Sequence, residues 1–81
     1  MARLGISILE LRLMLEQAIM EMLSLSLRPR VTISRIRRSE EDNLIVEGDY
    51  YYFGERGNFK AILKEDERQI QILDLELMPK Q

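Results

Sequence analysis

The segment from Ile8 to Leu27 is apolar on more than one side, and this feature constrains the fold most strongly. It reads ILELRLMLEQAIMEMLSLSL. At about 100° per residue, an α-helix places six of its side chains on one apolar stripe: Ile8, Leu11, Leu15, Ala18, Met22 and Leu25. A second stripe lies on a different side: Leu9, Leu13, Met20, Leu23 and Leu27. A small domain needs one apolar helix face for its own core, so the second stripe predicts contact with another chain. The pattern leaves open which of the two stripes faces the sheet.

Residues at both ends of this segment indicate where the helix begins and ends. Ser7 can accept a hydrogen bond from the first helical turn, and Glu10 follows three residues later, which is the pattern of a capping box. Pro29 disfavours helical geometry at Arg28. The sequence therefore predicts a helix over residues 7–27.

After Pro29 the apolar residues alternate with polar ones, which is the period of a β-strand. We expect four strands, at about residues 30–38, 43–53, 58–64 and 68–78. The connections between them are so short that only antiparallel neighbours are possible. The predicted fold is α+β: one long N-terminal helix packed on a four-stranded antiparallel meander (αββββ), with residues 1–81 as a single domain.

The alternation also predicts which strand residues face the helix. In the second strand Leu44, Val46, Gly48, Tyr50 and Tyr52 point one way, whereas Tyr51 and Phe53 point the other way. In the third strand Phe59, Ala61 and Leu63 share the apolar face. The alternation of apolar and polar residues shifts by one position between Ile33 and Ile36 in the first strand and between Ile72 and Leu73 in the fourth. A β-bulge in the first strand and another in the fourth would bring these residues back to one face.

The predicted order of elements resembles the helix-and-meander units of the PepSY-like and cystatin-like families and of the C-terminal region of the gas vesicle protein O family. The resemblance is one of topology and rests on no sequence motif. It therefore implies a fold and no activity.

Composition limits how such a small chain can be stabilised. The 81 residues include no Cys and no His, which excludes disulfides and excludes zinc held by thiolate or imidazole. A chain of this length buries a modest core, and oligomerisation is the remaining way to stabilise it.

Catalytic and cofactor motifs are missing from the sequence. There is no imidazole base, no thiol nucleophile, no serine in a G-x-S-x-G context and no glycine-rich phosphate loop. The acidic turns at residues 40–42 and 65–67 lack the alternating carboxylates and central glycine of a calcium loop. We predict a protein that is not an enzyme, with no catalytic residue, cofactor or metal.

The densest charge feature is a run of arginines with no acidic residue among them: Arg28, Arg30, Arg35, Arg37 and Arg38. Such a strand could contact the phosphates of RNA or DNA. Its arginines could instead pair with Asp74 and Glu76, or with Glu47 and Asp49, on a neighbouring strand. The net charge of the chain is −2, and residues 39–81 are acidic, so a polyanion would be repelled by most of the chain.

The apolar helical segment is interrupted by charged residues at Glu10, Arg12, Glu16 and Glu21, which argues against a secretory signal or a membrane span. The lack of Cys suits a reducing cytoplasm, and we expect a soluble cytoplasmic protein. The frequent Arg, Glu, Ile and Leu are compatible with a thermophilic source.

The leading functional expectation is a non-catalytic interaction module that forms a homo-oligomer, most simply a dimer. In that dimer Leu9, Leu13, Met20, Leu23 and Leu27 would meet their symmetry mates. Two alternatives stay open. One is nucleic-acid binding through the five arginines, and the other is an accessory subunit whose helix docks on a different protein.

Overall fold

The fold consists of one helix followed by four strands, as predicted. The structure, a computed structural model, describes residues 7–66 and 69–80. Helix α1 (Ile8–Met22) precedes strands β1 (Arg30–Arg38), β2 (Leu44–Tyr52), β3 (Glu55–Glu65) and β4 (Ile70–Pro79). The strands form one antiparallel sheet in the order β1-β2-β3-β4. The expected αββββ meander is therefore confirmed.

Helix α1 begins where the sequence predicts and ends five residues earlier. The Ser7 side-chain oxygen accepts a hydrogen bond from the Glu10 N–H at 3.1 Å. The predicted end at Leu27 is wrong, because Ser24 adopts a left-handed conformation (φ 55°) just after the helix. The N–H of Leu25 then reaches back to the carbonyl of Met20 at 2.9 Å. This closure is a Schellman motif, in which glycine is the usual left-handed residue.

The hairpin between β2 and β3 is tighter than predicted. The sequence placed Phe53 in the second strand and the turn at residues 54–57. Phe53 and Gly54 instead form the whole turn, both with positive φ (46° and 82°), as a type I′ hairpin requires. Pairing therefore resumes at Glu55, opposite Tyr52, and β3 is longer at both ends than expected.

The other strand limits differ from the predicted ones by small amounts. β2 begins at Leu44 instead of residue 43, and β4 reaches Pro79 instead of residue 78. The predicted start of the fourth strand at Arg68 lies outside the described residues.

Both predicted irregularities are present in the sheet. The register with β2 shifts between Ile33 and Arg35, so that Ile33 and Ile36 both lie on the apolar face. The register of β4 shifts next to Leu73, between the partners of Ile62 and Leu63. At the first bulge the backbones are so close that a Cβ on Gly48 would clash with the carbonyl oxygen of Thr32. This contact explains why a glycine occupies that strand position.

The core lies between α1 and one face of the sheet. The helix contributes Leu11, Leu15 and Ile19, and the strands contribute Val31, Leu44, Val46, Tyr50, Phe59, Ala61 and Leu63. The first apolar stripe therefore faces the sheet through Leu11 and Leu15, whereas Ile8 and Met22, at the two ends of α1, are exposed. Ile19, which belongs to neither predicted stripe, completes the buried face.

Coverage of the sheet by the helix is uneven. Among the described elements, α1 approaches β1 most closely. The apolar side chains of β4 that face the same side are half-buried: Ile70, Ile72, Leu75 and Leu77. The β4 margin of the core is thus the part that the fold leaves open.

Candidate interaction surfaces

Three of the predicted interface residues lie on the side of α1 away from the core. We call Leu9, Leu13 and Met20 the outer helix face. Leu9 is 55% exposed and Leu13 is 42% exposed, whereas Met20 and Leu23 are half-buried. Leu27 is 60% exposed, but it lies in the connection after the helix and not on the helix itself. Leu23 is the C-cap and packs against the core, so three of the five predicted positions lie on one helix side and two lie beyond the helix end.

A buried carboxylate fixes how α1 is oriented over the sheet. Glu16 is 8% exposed, and its side chain accepts a hydrogen bond from the Val31 N–H at 3.3 Å. Val31 is in β1, whose other side pairs with β2, so this N–H points away from the sheet. Leu13 and Met20 are three and four residues from Glu16 and share its side of the helix. The outer helix face therefore lies on the side of the free edge of β1.

Three of the five predicted arginines are held by neighbouring groups. Arg28 contacts the Glu16 carboxylate at 3.8 Å and donates hydrogen bonds to the Leu13 carbonyl and to the Gln17 side chain. Arg37 pairs with Glu47 at 3.5 Å. Arg38 pairs with Asp42 at 3.4 Å and with Glu65 at 3.2 Å.

Arg30 and Arg35 form no ion pair with any residue in the described part of the chain. Both are exposed on the sheet face opposite the helix, whereas the register places Arg38 on the helix side. The five arginines therefore do not form one continuous basic surface. Two of them remain available to a partner.

Aromatic side chains divide between the core and the surface as predicted. Tyr50 is 2% exposed and stacks on Tyr52, with ring centres 6.2 Å apart. Burial, and secondarily the neighbouring Tyr52, raises the pKa of Tyr50 above its ordinary value. Tyr51 and Phe53 are exposed, and Tyr51 lies between Arg30 and Arg56 on adjacent strands. A shallow depression of about 340 Å³ lies between these aromatics and the connection containing Leu27.

The edge strand β4 is a surface that the sequence reasoning did not single out. It exposes Leu73 and Met78, and its only charged residues are Asp74 and Glu76. Within residues 7–66 and 69–80, neither carboxylate forms an ion pair. The signal available in the sequence was the absence of basic residues from β4, in contrast to their abundance in β1.

Metal-ligand groups, membrane-spanning helices and related proteins provide no further assignment. The described residues contain no group of three or more His, Cys, Asp or Glu side chains suited to a metal ion. In that same part of the chain, no helix is long and apolar enough to cross a membrane. No family model, curated protein or solved structure matches this chain.

Proposed function

We propose that this protein is a non-catalytic module that associates with further copies of itself through the outer helix face. The observation that carries the proposal is the exposure of Leu9 and Leu13 on a helix whose other side already completes the core. Full burial of a leucine side chain stabilises a complex by about 1.5–3 kcal/mol. Covering the exposed part of each would contribute on the order of 1 kcal/mol.

The size of the surface also supports a protein partner. A stable interface buries roughly 1,000 Å² or more in total, or about 500 Å² on each copy. The chain exposes 5967 Å², so such an interface would take less than a tenth of its surface.

Association can be tested by sedimentation velocity over a concentration series. We expect the mass of the wild-type protein to rise above that of a monomer at micromolar concentration. The double substitution Leu9→Glu/Leu13→Glu should keep the protein monomeric, because it places charges in the buried contact. Gln17→Glu is the matched control, since it adds a charge to the polar side of the same helix. A wild-type protein that stays monomeric would contradict self-association and would favour docking on a different protein.

A second candidate function is supported by Tyr51. An exposed ring between Arg30 and Arg56 on an open sheet face can stack on a base while the guanidinium groups contact phosphates. Nucleic-acid binding of this kind weakens steeply with added salt. We expect Arg30→Glu/Arg35→Glu to abolish binding of single-stranded RNA or DNA at low salt. If the wild-type protein shows no binding at low salt, this candidate is excluded.

A further inference from the structure

The two edges of the sheet expose main-chain groups with the same spacing. In antiparallel pairs, successive residues alternate between bonding the neighbouring strand and pointing away from it. The Val31 N–H bonds Glu16 and therefore points outward, and the Ser39 N–H bonds Asn43 across the hairpin, so Arg38 points outward too. Alternation gives four outward residues in β1: Val31, Ile33, Ile36 and Arg38.

The residues of β4 alternate in the same way. The Lys80 N–H bonds the Arg56 carbonyl at 2.9 Å, and the Asp66 N–H bonds the Gln69 carbonyl at 2.8 Å. Residues next to these bonded positions point away from β3. Besides Pro79, which has no N–H to donate, four residues of β4 therefore face outward: Ile70, Ile72, Leu75 and Leu77.

The bulges make these two sets complementary. In each strand the outward residues are separated by two, three and two positions, because the bulge adds one residue to the middle step. An antiparallel alignment of β1 with β4 of a second copy therefore pairs Ile33 with Leu75 and Ile36 with Ile72. The two bulges then lie side by side, so each outward residue in the aligned stretch stays opposite an outward residue of the other copy.

Strand direction and sheet face agree with this alignment. In a four-stranded meander β1 and β4 run in opposite directions. A second copy in the same orientation can therefore place its β1 beside β4 and continue the antiparallel sheet. Its helix lies on the same side of the extended sheet as the first helix. The outer helix face, on the β1 side of α1, then approaches the half-buried apolar side chains at the β4 margin of the neighbouring copy.

Charge favours contact between unlike edges. β1 contains four arginines and no acidic residue, whereas β4 contains Asp74 and Glu76 and no basic residue. The proposed register places Asp74 opposite Ser34 and diagonally across from Arg35 at the paired bulges, and it places Glu76 diagonally across from Arg30. Contacts between two β1 edges or two β4 edges would bring like charges together.

From this complementarity we propose that copies of the chain associate head to tail, with β1 of one copy extending the sheet at β4 of the next. The inference rests on the proposed self-association and specifies its geometry. Such a heterologous contact builds a ring when its rotation closes and an open chain when it does not. It replaces the simple two-fold contact between helices that the sequence suggested.

Local features limit the paired segment to part of each edge. The Glu16 carboxylate already occupies the Val31 N–H, and Pro79, at the corresponding end of β4, has no N–H to donate. The main-chain hydrogen bonds between the two copies therefore involve the stretch of β1 from Ile33 to Arg38. Its opposite strand is the stretch of β4 from Leu75 back to Ile70.

Reversing the charges at Arg35 and Asp74 tests the head-to-tail geometry, with association measured by sedimentation velocity. Arg35→Glu alone and Asp74→Arg alone should each weaken association by about tenfold or more, because each places like charges together. An equimolar mixture of the two variants should recover association to within about threefold of wild type, since unlike edges then meet again. Lys64→Glu and Glu40→Arg are controls that change charge away from both edges, and they should associate as wild type does.

The outcomes separate this inference from the proposed function. If the wild-type protein associates and both charge variants associate equally well, the head-to-tail geometry is wrong and self-association stands. A mixture that stays as weak as its components would also overturn the geometry. If the wild-type protein is monomeric throughout, both the geometry and the proposed function fail.

Discussion

The carboxylate of Glu16 accepts a hydrogen bond from the main-chain N–H of Val31 at 3.3 Å. This contact joins the only described helix to an edge strand and satisfies a donor that has no strand partner. Arg28 and Arg12 approach the same carboxylate at 3.8 and 4.0 Å. The contact therefore holds the outer helix face beside the free edge of β1.

Removing this carboxylate should lower the stability of the fold. Glu16→Ala leaves the Val31 N–H without its partner, and an unsatisfied buried donor costs about 1–3 kcal/mol. Chemical denaturation at low protein concentration would measure the change in the free energy of unfolding. Glu21→Ala removes an exposed carboxylate of the same helix and should cost less. Equal losses in the two variants would contradict a specific role for Glu16.

The two sides of α1 should respond differently to truncation. Leu15→Ala empties a fully buried position and should lower the free energy of unfolding by about 2–5 kcal/mol. Leu13→Ala should change the stability of the monomer by no more than about 0.5 kcal/mol, because Leu13 is exposed. In a sedimentation experiment Leu13→Ala should nevertheless weaken association. A destabilised monomer with unchanged association would contradict the assignment of this side chain to an interface.

The hairpin turn at Phe53 offers a stabilising substitution. Phe53 is 67% exposed and has φ +46°, a region that asparagine tolerates better than phenylalanine. Phe53→Asn should raise the free energy of unfolding by about 0.5–1.5 kcal/mol, since it relieves part of the left-handed strain. Phe53→Ala is the control, because it removes the same ring without relieving the backbone. Thermal unfolding of the three proteins would show whether the gain belongs to asparagine alone.

Alkaline pH should destabilise the protein through Tyr50. Burial, followed by the effect of Tyr52, raises the pKa of this phenol in the folded state above its value of about 10 in the unfolded chain. The contribution of Tyr50 is therefore fully present below pH 10 and is lost as the pH rises through the folded-state pKa. Tyrosinate absorbance and the free energy of unfolding would be followed between about pH 8 and pH 11.

Phenylalanine substitutions provide the controls for this pH dependence. Tyr50→Phe has no phenol to ionise and should lose stability less steeply above pH 10 than the wild-type protein does. Tyr51→Phe changes an exposed ring and should follow the wild-type curve. If Tyr50→Phe is as sensitive to alkaline pH as the wild-type protein, another group causes the effect.

The spacing of apolar residues along the sequence was sufficient to predict the order of the helix and strands and most of the core. The slips of phase at Ile36 and Leu73 predicted two real bulges, because the apolar side chains must share one face. Backbone conformations with positive φ could not be predicted in the same way. Ser24 and Phe53 adopt them without the glycine or asparagine that usually indicates such a position, so the helix end and the hairpin turn were misplaced.

The interaction surfaces were predictable in part. A helical wheel separated the core side of α1 from the outer helix face, although it left open which stripe faces the sheet. The partners of the arginines were predictable in part. Glu47 was an expected partner and pairs with Arg37, whereas the other expected partners, Asp74 and Glu76, lie on β4, which is not adjacent to β1. Arg28 and Arg38 contact Glu16 and Glu65, which are distant in the chain and were not predictable. The spacing of outward groups on β4 depends on strand register, which requires the three-dimensional structure.

Sedimentation equilibrium of the wild-type protein, with Leu9→Glu/Leu13→Glu run in parallel, tests the central claim most directly. We predict that the wild-type mass rises with concentration above the 9.6 kDa of one chain. The double variant should remain at the mass of one chain over the same range. A wild-type protein that stays at 9.6 kDa at every concentration, or a double variant that associates equally well, would contradict self-association through the outer helix face.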